Sequence, residues 1–281
     1  QFAFALKTKN GIISTAKILV IMYHISEIFL IISLCSLLQI VFWLYSLKKK
    51  NVNIVDVGWG GAIFLLCLLW LFKVDQYNLA KLVPLILMAV WSFRLTYHIY
   101  IDRVAGHEED KRYLNLRNYW GNSANRNFFF FFQSQALMSA FFFSPVYILI
   151  NEKINFGSVF DIFGCIIWVV SVIGESVSDD QLKQFRTNIK NKGKTCRQGL
   201  WRYSRHPNYF FEWLHWFSYL FFAVNVDSFY LFFFPPLVML IFLFKLTGIP
   251  YTEMQAIKSR GDDYLAYQKE TSVFIPWFPK K

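Results

Sequence analysis

Polar side chains able to do acid–base, hydrogen-bonding or phosphate chemistry gather at four places in an otherwise strongly apolar chain. Asp56 opens the run Asp56-Val57-Gly58-Trp59-Gly60-Gly61, and Arg94 and Tyr97 lie in Trp91-Ser92-Phe93-Arg94-Leu95-Thr96-Tyr97-His98. Glu175, Asp179 and Asp180 form the third group, Asn208 and Glu212 the fourth. Asp179 and Arg186 are seven residues apart, two helical turns, and so share a helical face; Asn208 and Glu212, four apart, do the same. Between these pairs runs Arg197-Gln198-Gly199-Leu200-Trp201-Arg202-Tyr203-Ser204-Arg205-His206-Pro207-Asn208-Tyr209-Phe210. Such a segment suits phosphates, through Arg205 and its neighbours, and aromatic ligands stacked on Trp201 or Tyr203, because a guanidinium fork matches phosphate oxygens. An ordinary interfacial belt of Trp, Tyr and Arg has the same composition.

Other chemistries are excluded. The glycines at 58, 60 and 61 do not make G-x-G-x-x-G, since residue 63 is Ile, and there is no P-loop or nucleophile elbow. The five His form no H-x-x-x-H pair, and the four Cys no C-x-x-C pair, which speaks against metal centres and a disulfide framework.

The elements that must position these residues are membrane helices. Of 281 residues, 56% are hydrophobic, 20% aromatic and 17% charged. A water-soluble surface needs more charge than that. About 20 helical residues cross about 30 Å of hydrocarbon, and seven stretches qualify: Ile28 to Leu47, Val55 to Phe72, Leu79 to Ile101, Asn127 to Ile150, Gly157 to Val177, Tyr209 to Val226 and Ser228 to Ile249. The last two, divided only at Asp227 and interrupted by Pro235-Pro236, also fit a re-entrant pair. The expected architecture is an all-α polytopic membrane protein of about seven transmembrane helices. Residues 1–27 form a flank, of which Gln1 to Lys17 lacks the apolar core expected of a signal peptide, and residues 28–281 a single membrane-embedded domain.

Charge supports the same layout. Segments 48–53, 102–126, 178–208 and 250–281 together hold 21 of the 29 Lys and Arg, and the segments between them hold few. By the positive-inside rule these four are cytoplasmic, as is the C-terminus, although Lys7, Lys9 and Lys17 in the flank oppose that assignment. The net charge of +11 is then mainly topological, with attraction to anionic membrane lipids added. Nucleic-acid binding is not expected, because membrane spans split the basic residues. The four polar groups all fall toward the cytoplasmic side, which implies a polar pocket roofed by the basic loops. Intramembrane polar groups ordinarily face such interiors.

The segment Gly199-Leu200-Trp201-Arg202-Tyr203-Ser204-Arg205-His206-Pro207-Asn208-Tyr209-Phe210-Phe211-Glu212-Trp213 resembles the signature of bacterial relatives of steroid 5α-reductase, many of them described only as a domain of unknown function. The similarity extends to Val55 to Gly60, Glu109-Asp110-Lys111-Arg112-Tyr113, Asp179 to Arg186, Thr247 to Pro250 and Phe274 to Trp277. This resemblance implies a seven-helix enzyme, in the bacterial inner membrane, that reduces the conjugated double bond of a steroid-like or other lipid enone with NADPH. It implies cofactor binding by Asp179, Arg186, Asn208 and Glu212, with Tyr203, Arg205, His206 and Tyr209 as further contacts. On the substrate side it implies Asp56 in place of a Glu, with Arg94 nearby. Trp91 falls where the family has a Tyr, which leaves Tyr97 as the substitute proton donor, and Glu253 lies near a C-terminal His position. Asp56, if protonated by burial, is a second donor to the substrate carbonyl.

Isoprenylcysteine carboxyl methyltransferases share a similar R-H-P-x-Y element. A second expectation is therefore an S-adenosylmethionine-dependent lipid methyltransferase, holding its cofactor with Arg205-His206-Pro207 and with Glu253, Asp262 and Asp263. A lipid-binding membrane protein without a cofactor is the third.

Overall fold

The computed structural model describes residues 6–8, 11–13, 15–74, 78–152, 155–246 and 248–280. Apart from a short antiparallel pair, β1 (Leu6–Thr8) and β2 (Gly11–Ile13), the architecture is helical. The long helices are α1 (Thr15–Lys49), α2 (Ile54–Leu71), α3 (Leu79–Ile99), α5 (Ala124–Asn151) and α6 (Val159–Thr187). Shorter ones are α4 (Lys111–Trp120), α7 (Pro207–Phe222), α8 (Phe234–Ile241), α9 (Ile249–Arg260) and α10 (Asp262–Glu270). Helix α1 takes in the last residues of the expected flank.

Six segments among the described residues are long and apolar enough to cross a membrane: Lys17–Lys49, Ile54–Leu71, Leu79–Val104, Lys111–Asn151, Val159–Thr187 and Phe229–Arg260. The expected all-α polytopic membrane architecture is therefore present, with one correction to the count. The sixth expected span ends early. Helix α7 has 16 residues, roughly 24 Å at 1.5 Å per residue, short of the hydrocarbon thickness. Turns closed by Val226 N to Ala223 O and Phe229 N to Val226 O stop it. Pro235 and Pro236 then begin α8 instead of interrupting a helix, because the first turn leaves N–H groups unused and proline loses nothing there. The 3₁₀ turn Phe229–Phe233 leads into them.

The chain folds as two compact units, residues 1–73 with 88–144, and residues 74–87 with 145–281. In the first, α1 and α2 approach closely at Gly58, where an added Cβ would lie 2.7 Å from Gln39 Oε1 and 2.8 Å from Phe42. Gly60 similarly receives the Thr96 hydroxyl, and Ser139 Oγ donates to Trp59 O at 3.0 Å. Phe128, Phe132, Phe143, Ile63, Leu66 and Trp91 fill the interior.

In the second unit α6 begins at a capping box, Ser158 with Asp161, which satisfies N–H groups that an apolar surrounding would leave unmade. Helices α6 and α7 pack antiparallel. Gly164 faces Phe222 and Gly174 faces Phe211, with ring atoms 2.7 and 2.5 Å from where a Cβ would stand. Those contacts are ten residues apart on one helix and eleven on the other, so a single antiparallel register serves both. At 29 residues α6 spans roughly 43 Å, longer than the hydrocarbon layer. Its last turns, from Asp179 to Arg186, therefore extend past the apolar stretch.

Candidate functional site: a polar stripe between two antiparallel helices

The stripe follows from helical spacing. Ser171, Glu175, Ser178 and Asp179 recur at one face of α6, and all are buried. Glu212 and His215 do the same on α7, followed by Ser218 and Tyr219. Ser171 and Ser178 satisfy their hydroxyls on Ile167 O and Gly174 O of their own helix, both at 2.7 Å. Asp179, Asn208, Glu175, Glu212 and His215 are the members of the stripe whose side chains carry carboxylate, amide or imidazole chemistry. Asn208 Nδ2 donates to Asp179 Oδ1 at 3.1 Å, and Asn208 Oδ1 accepts from Tyr209 N at 3.0 Å. The two expected pairs, one on each helix, thus meet at a carboxylate and an amide. Glu175 belongs to the third polar group of the sequence, though without a cofactor role there, and His215 is an addition of the structure. Their spacing, four residues before Asp179 and three after Glu212, is the signal that marks them.

The basic connection is held down by the protein itself. Gly199 has a left-handed backbone (φ +56) and lies against Gln181, where a Cβ would collide. Gln181 Oε1 accepts from Leu200 N at 2.8 Å. Trp201 is buried, with Nε1 donating to Ser178 O at 2.9 Å, so it forms part of the wall and not an open stacking platform. The Tyr267 hydroxyl donates to Trp201 O and to Ser204 O, and Ser204 Oγ donates to Phe274 O at 2.7 Å. Tyr203 packs edge-on against Phe278 at 6.0 Å, and its carbonyl accepts from Trp277 N at 2.9 Å.

Arg205, expected at a phosphate, is engaged within the fold. Its Nε donates to Glu253 Oε1 at 2.6 Å, and its Nη1 donates to Gln268 O and Thr271 O at 3.0 and 2.8 Å. Glu253 also faces His206 Nε2 at 3.3 Å and accepts from Gln268 Nε2 at 2.8 Å. His206 stacks flat on Tyr209, with ring centroids 5.4 Å apart. Burial pushes the His206 imidazole below its usual pKa, and the Glu253 carboxylate only partly offsets that. Arg186 lies exposed in the last turn of α6.

The residues expected on the substrate side lie in the first unit. Asp56 accepts three bonds: from Tyr113 Oη at 2.6 Å, Arg103 Nη1 at 3.1 Å and Arg112 Nη2 at 3.3 Å. Both its oxygens act as acceptors, whereas donation to a carbonyl was the expected role. Around it Asn53 donates to Arg103 O and Glu108 O, and Glu109 pairs with Arg117 at 2.7 Å. Asp110 caps α4 through Arg112 N. Burial raises its pKa, but the Arg112 bonds and charge outweigh that and hold it below the usual carboxylate value. The inward face of α3 carries Trp91, Ser92, Leu95 and Ile99. Tyr97, 60% exposed, lies roughly half a turn around the helix from that face and stacks on Phe93. Arg94 is half-buried on the same helix.

A family model described as protein of unknown function (DUF1295) matches residues 42–271. The chain belongs to this family. The DUF1295 stretch takes in both the Asp56 group and the α6–α7 stripe, together with Glu253 and Tyr267. The chain is also similar to the uncharacterized protein C594.04c of Schizosaccharomyces pombe, 29% identical over 218 residues, 67% of this chain. That alignment spans 62% of the yeast protein, so the chain covers less than two thirds of this relative's length. No solved structure matches.

Proposed function

We propose that this DUF1295 protein is a membrane reductase that binds NADPH along the α6–α7 stripe and reduces a conjugated carbon–carbon double bond in a lipid. The observation that supports this reading most is the bond from Asn208 to Asp179. It joins a carboxylate and an amide near the end of α6 from which Arg186 and the basic connection extend, with Glu212 one turn deeper on α7. Carboxylates and amides suit the ribose hydroxyls and carboxamide of a dinucleotide, and arginines suit its phosphates. The positive-inside rule puts this end of the helices, and the C-terminus, on the cytoplasmic side.

In this reading Asp179 and Asn208 orient the cofactor, Glu212 receives a hydroxyl or amide donor, and Arg186 meets a phosphate. Tyr209 and His206 form a stacked wall at the start of α7. Glu175 and His215 lie one turn deeper, at a depth where ionisable groups are rare and mark functional positions. NADPH supplies the hydride, and the protein supplies position and electrostatics. Apolar walls such as Phe211 and Phe222 exclude water from the reacting carbon. The substrate-side roles implied for Asp56, Arg94 and Tyr97 are separate proposals that cofactor binding does not require. The methyltransferase reading uses Arg205-His206-Pro207 with Glu253, Asp262 and Asp263 for its cofactor; Arg205 and His206 both face Glu253. The Asn208–Asp179 pairing, which that reading does not use, favours the reductase.

The test is titration of the detergent-purified protein with NADPH and with S-adenosylmethionine, followed by tryptophan fluorescence. NADPH is expected to bind the wild type, and Asn208→Ala and Glu212→Ala to weaken it by roughly tenfold each, the loss of a charge-assisted hydrogen bond. Wild-type protein that binds S-adenosylmethionine but not NADPH would overturn the reading.

A further inference from the structure

Residues 272–280 follow α10 without regular secondary structure, yet the fold fixes their backbone at four points. Ser272 O accepts from Arg205 N at 2.8 Å and Phe274 O from Ser204 Oγ at 2.7 Å. Trp277 N donates to Tyr203 O at 2.9 Å, and Lys280 N to Glu270 O at 2.8 Å. Pro276 and Pro279 restrict the chain further, because the proline ring sets φ. Phe274 turns inward and is buried, with ring centroids 5.7 Å from Phe210, 5.5 Å from Trp213 and 5.2 Å from Phe244. The large apolar side chains that follow it point outward: Ile275 is 58% exposed, Trp277 69% and Phe278 75%. A loose tail could fold such side chains back onto the protein; this one is held by its backbone bonds with them displayed. Phe244 belongs to the apolar segment Phe229–Arg260 and Phe210 and Trp213 to the first turns of α7. The displayed side chains therefore stand where these helices meet the basic connection, at the end that the positive-inside rule makes cytoplasmic.

Charge and size select the occupant of this surface. Lys280, exposed, follows the apolar side chains, and Arg202, also exposed, precedes the Tyr203 whose carbonyl holds Trp277. The neighbouring Glu270 carboxylate already faces Arg197 at 3.6 Å. Three side chains fall well short of a specific protein–protein interface, which takes roughly 20–30 residues from each partner. They suit a lipid surface, where aromatic rings settle at the headgroup level and Lys and Arg meet anionic phosphates. We propose that residues 275–280 are an interfacial wedge: Ile275, Trp277 and Phe278 enter the headgroup–acyl boundary of an anionic leaflet, with Lys280 and Arg202 at its phosphates. Because the same stretch bonds to Tyr203, Ser204 and Arg205, the wedge holds the basic connection against the membrane surface. The wedge does not depend on which reaction the protein performs.

The experiment places the full chain and its Trp277→Phe variant in nanodiscs of phosphatidylcholine, with and without phosphatidylglycerol. The difference between their tryptophan emissions is the signal of Trp277. That signal is expected to be blue-shifted and to be quenched by lipids brominated roughly 5–10 Å below the headgroups, the depth of an interfacial apolar face. Part of the quenching should be lost when phosphatidylglycerol is omitted, and equally when Arg202→Gln is combined with Lys280→Gln. Phe278→Trp adds a second reporter to the same stretch, expected to gain emission with the same quenching, and it decides the matter if Trp277→Phe does not fold. Quenching by aqueous acrylamide and not by brominated lipid overturns the wedge. Protection from both quenchers would assign the stretch to a second copy of the chain and also overturn it. Lipid quenching that ignores phosphatidylglycerol overturns the anionic leaflet and the roles of Arg202 and Lys280.

Discussion

The Tyr113 hydroxyl donates to Asp56 Oδ1 at 2.6 Å across 57 residues of sequence, and Arg103 and Arg112 reach the other oxygen. One carboxylate at the start of α2 thereby anchors both the π-helical turn Tyr100–Val104 and helix α4. Tyr113→Phe leaves Asp56 short of a donor in a largely buried place, and a destabilisation of roughly 1–3 kcal/mol is expected. Asp56→Asn should cost at least as much, because Arg103 and Arg112 then lose the Asp56 carboxylate and Arg112 keeps Asp110. Thermal unfolding in detergent checks both. Variants that melt like the wild type would instead favour a substrate role for Asp56.

Glycine marks the closest helix approaches, so adding one methyl group should be felt. Gly174→Ala puts a Cβ 2.5 Å from the Phe211 ring, and Gly58→Ala puts one 2.7 Å from the Gln39 amide. Overpacking of this kind costs typically 1–3 kcal/mol. The double variant Gly174→Ala with Phe211→Leu should regain part of that loss, since the smaller side chain vacates the space. Denaturation midpoints of the two single variants and the double variant decide it; no recovery in the double variant would point to strain elsewhere in α6.

Stability near neutral pH should depend on His206. Burial lowers its pKa in the folded state, below the value of about 6.5 expected in the unfolded chain. The unfolded chain therefore takes up the proton first. The stabilising contribution is complete above about pH 6.5 and is lost as pH falls toward the folded value. Melting temperature should decline through this window, and His206→Gln, which has no titrating ring, should flatten the decline. An unchanged profile in the variant would assign the dependence to other groups.

Tyr267 ties the C-terminal segment to the basic connection by donating to two of its carbonyls, Trp201 O and Ser204 O. Tyr267→Phe leaves those carbonyls short of a donor and should cost roughly 1–3 kcal/mol. Because Arg202 is exposed, loosening of the connection should also appear as faster trypsin cleavage after it. Cleavage at the wild-type rate with an unchanged melting point would mean that the other bonds of the connection, among them Ser204 Oγ to Phe274 O and Trp277 N to Tyr203 O, suffice to hold it.

Several features of this protein could be read directly because they depend only on local order along the chain. The apolar runs specify a non-aqueous solvent, and five of the seven expected spans coincide with single long helices. The facing of Asp179 with Arg186, and of Asn208 with Glu212, follows from helical periodicity. The same periodicity extends to Glu175 and His215, which the spacing marked and the packing of α6 on α7 brought into one stripe.

The length of α7 was not legible, because its apolar run continues while the backbone turns at residues 223–228. Nor was the pairing of charges. Arg205 meets Glu253 across 48 residues, and Asp56 meets Tyr113 across 57. An arginine is equally suited to a phosphate, a carbonyl or a carboxylate, so its type does not reveal its partner; only the fold decides which acceptor comes within 3 Å. The membrane class, five of the long helices and the spacing of polar residues on them follow from the order of residues along the chain. Only packing across long stretches of chain brings Arg205 to Glu253 and two backbone carbonyls and Arg197 to Asp263 and Glu270, because no local pattern fixes which acceptor a guanidinium meets.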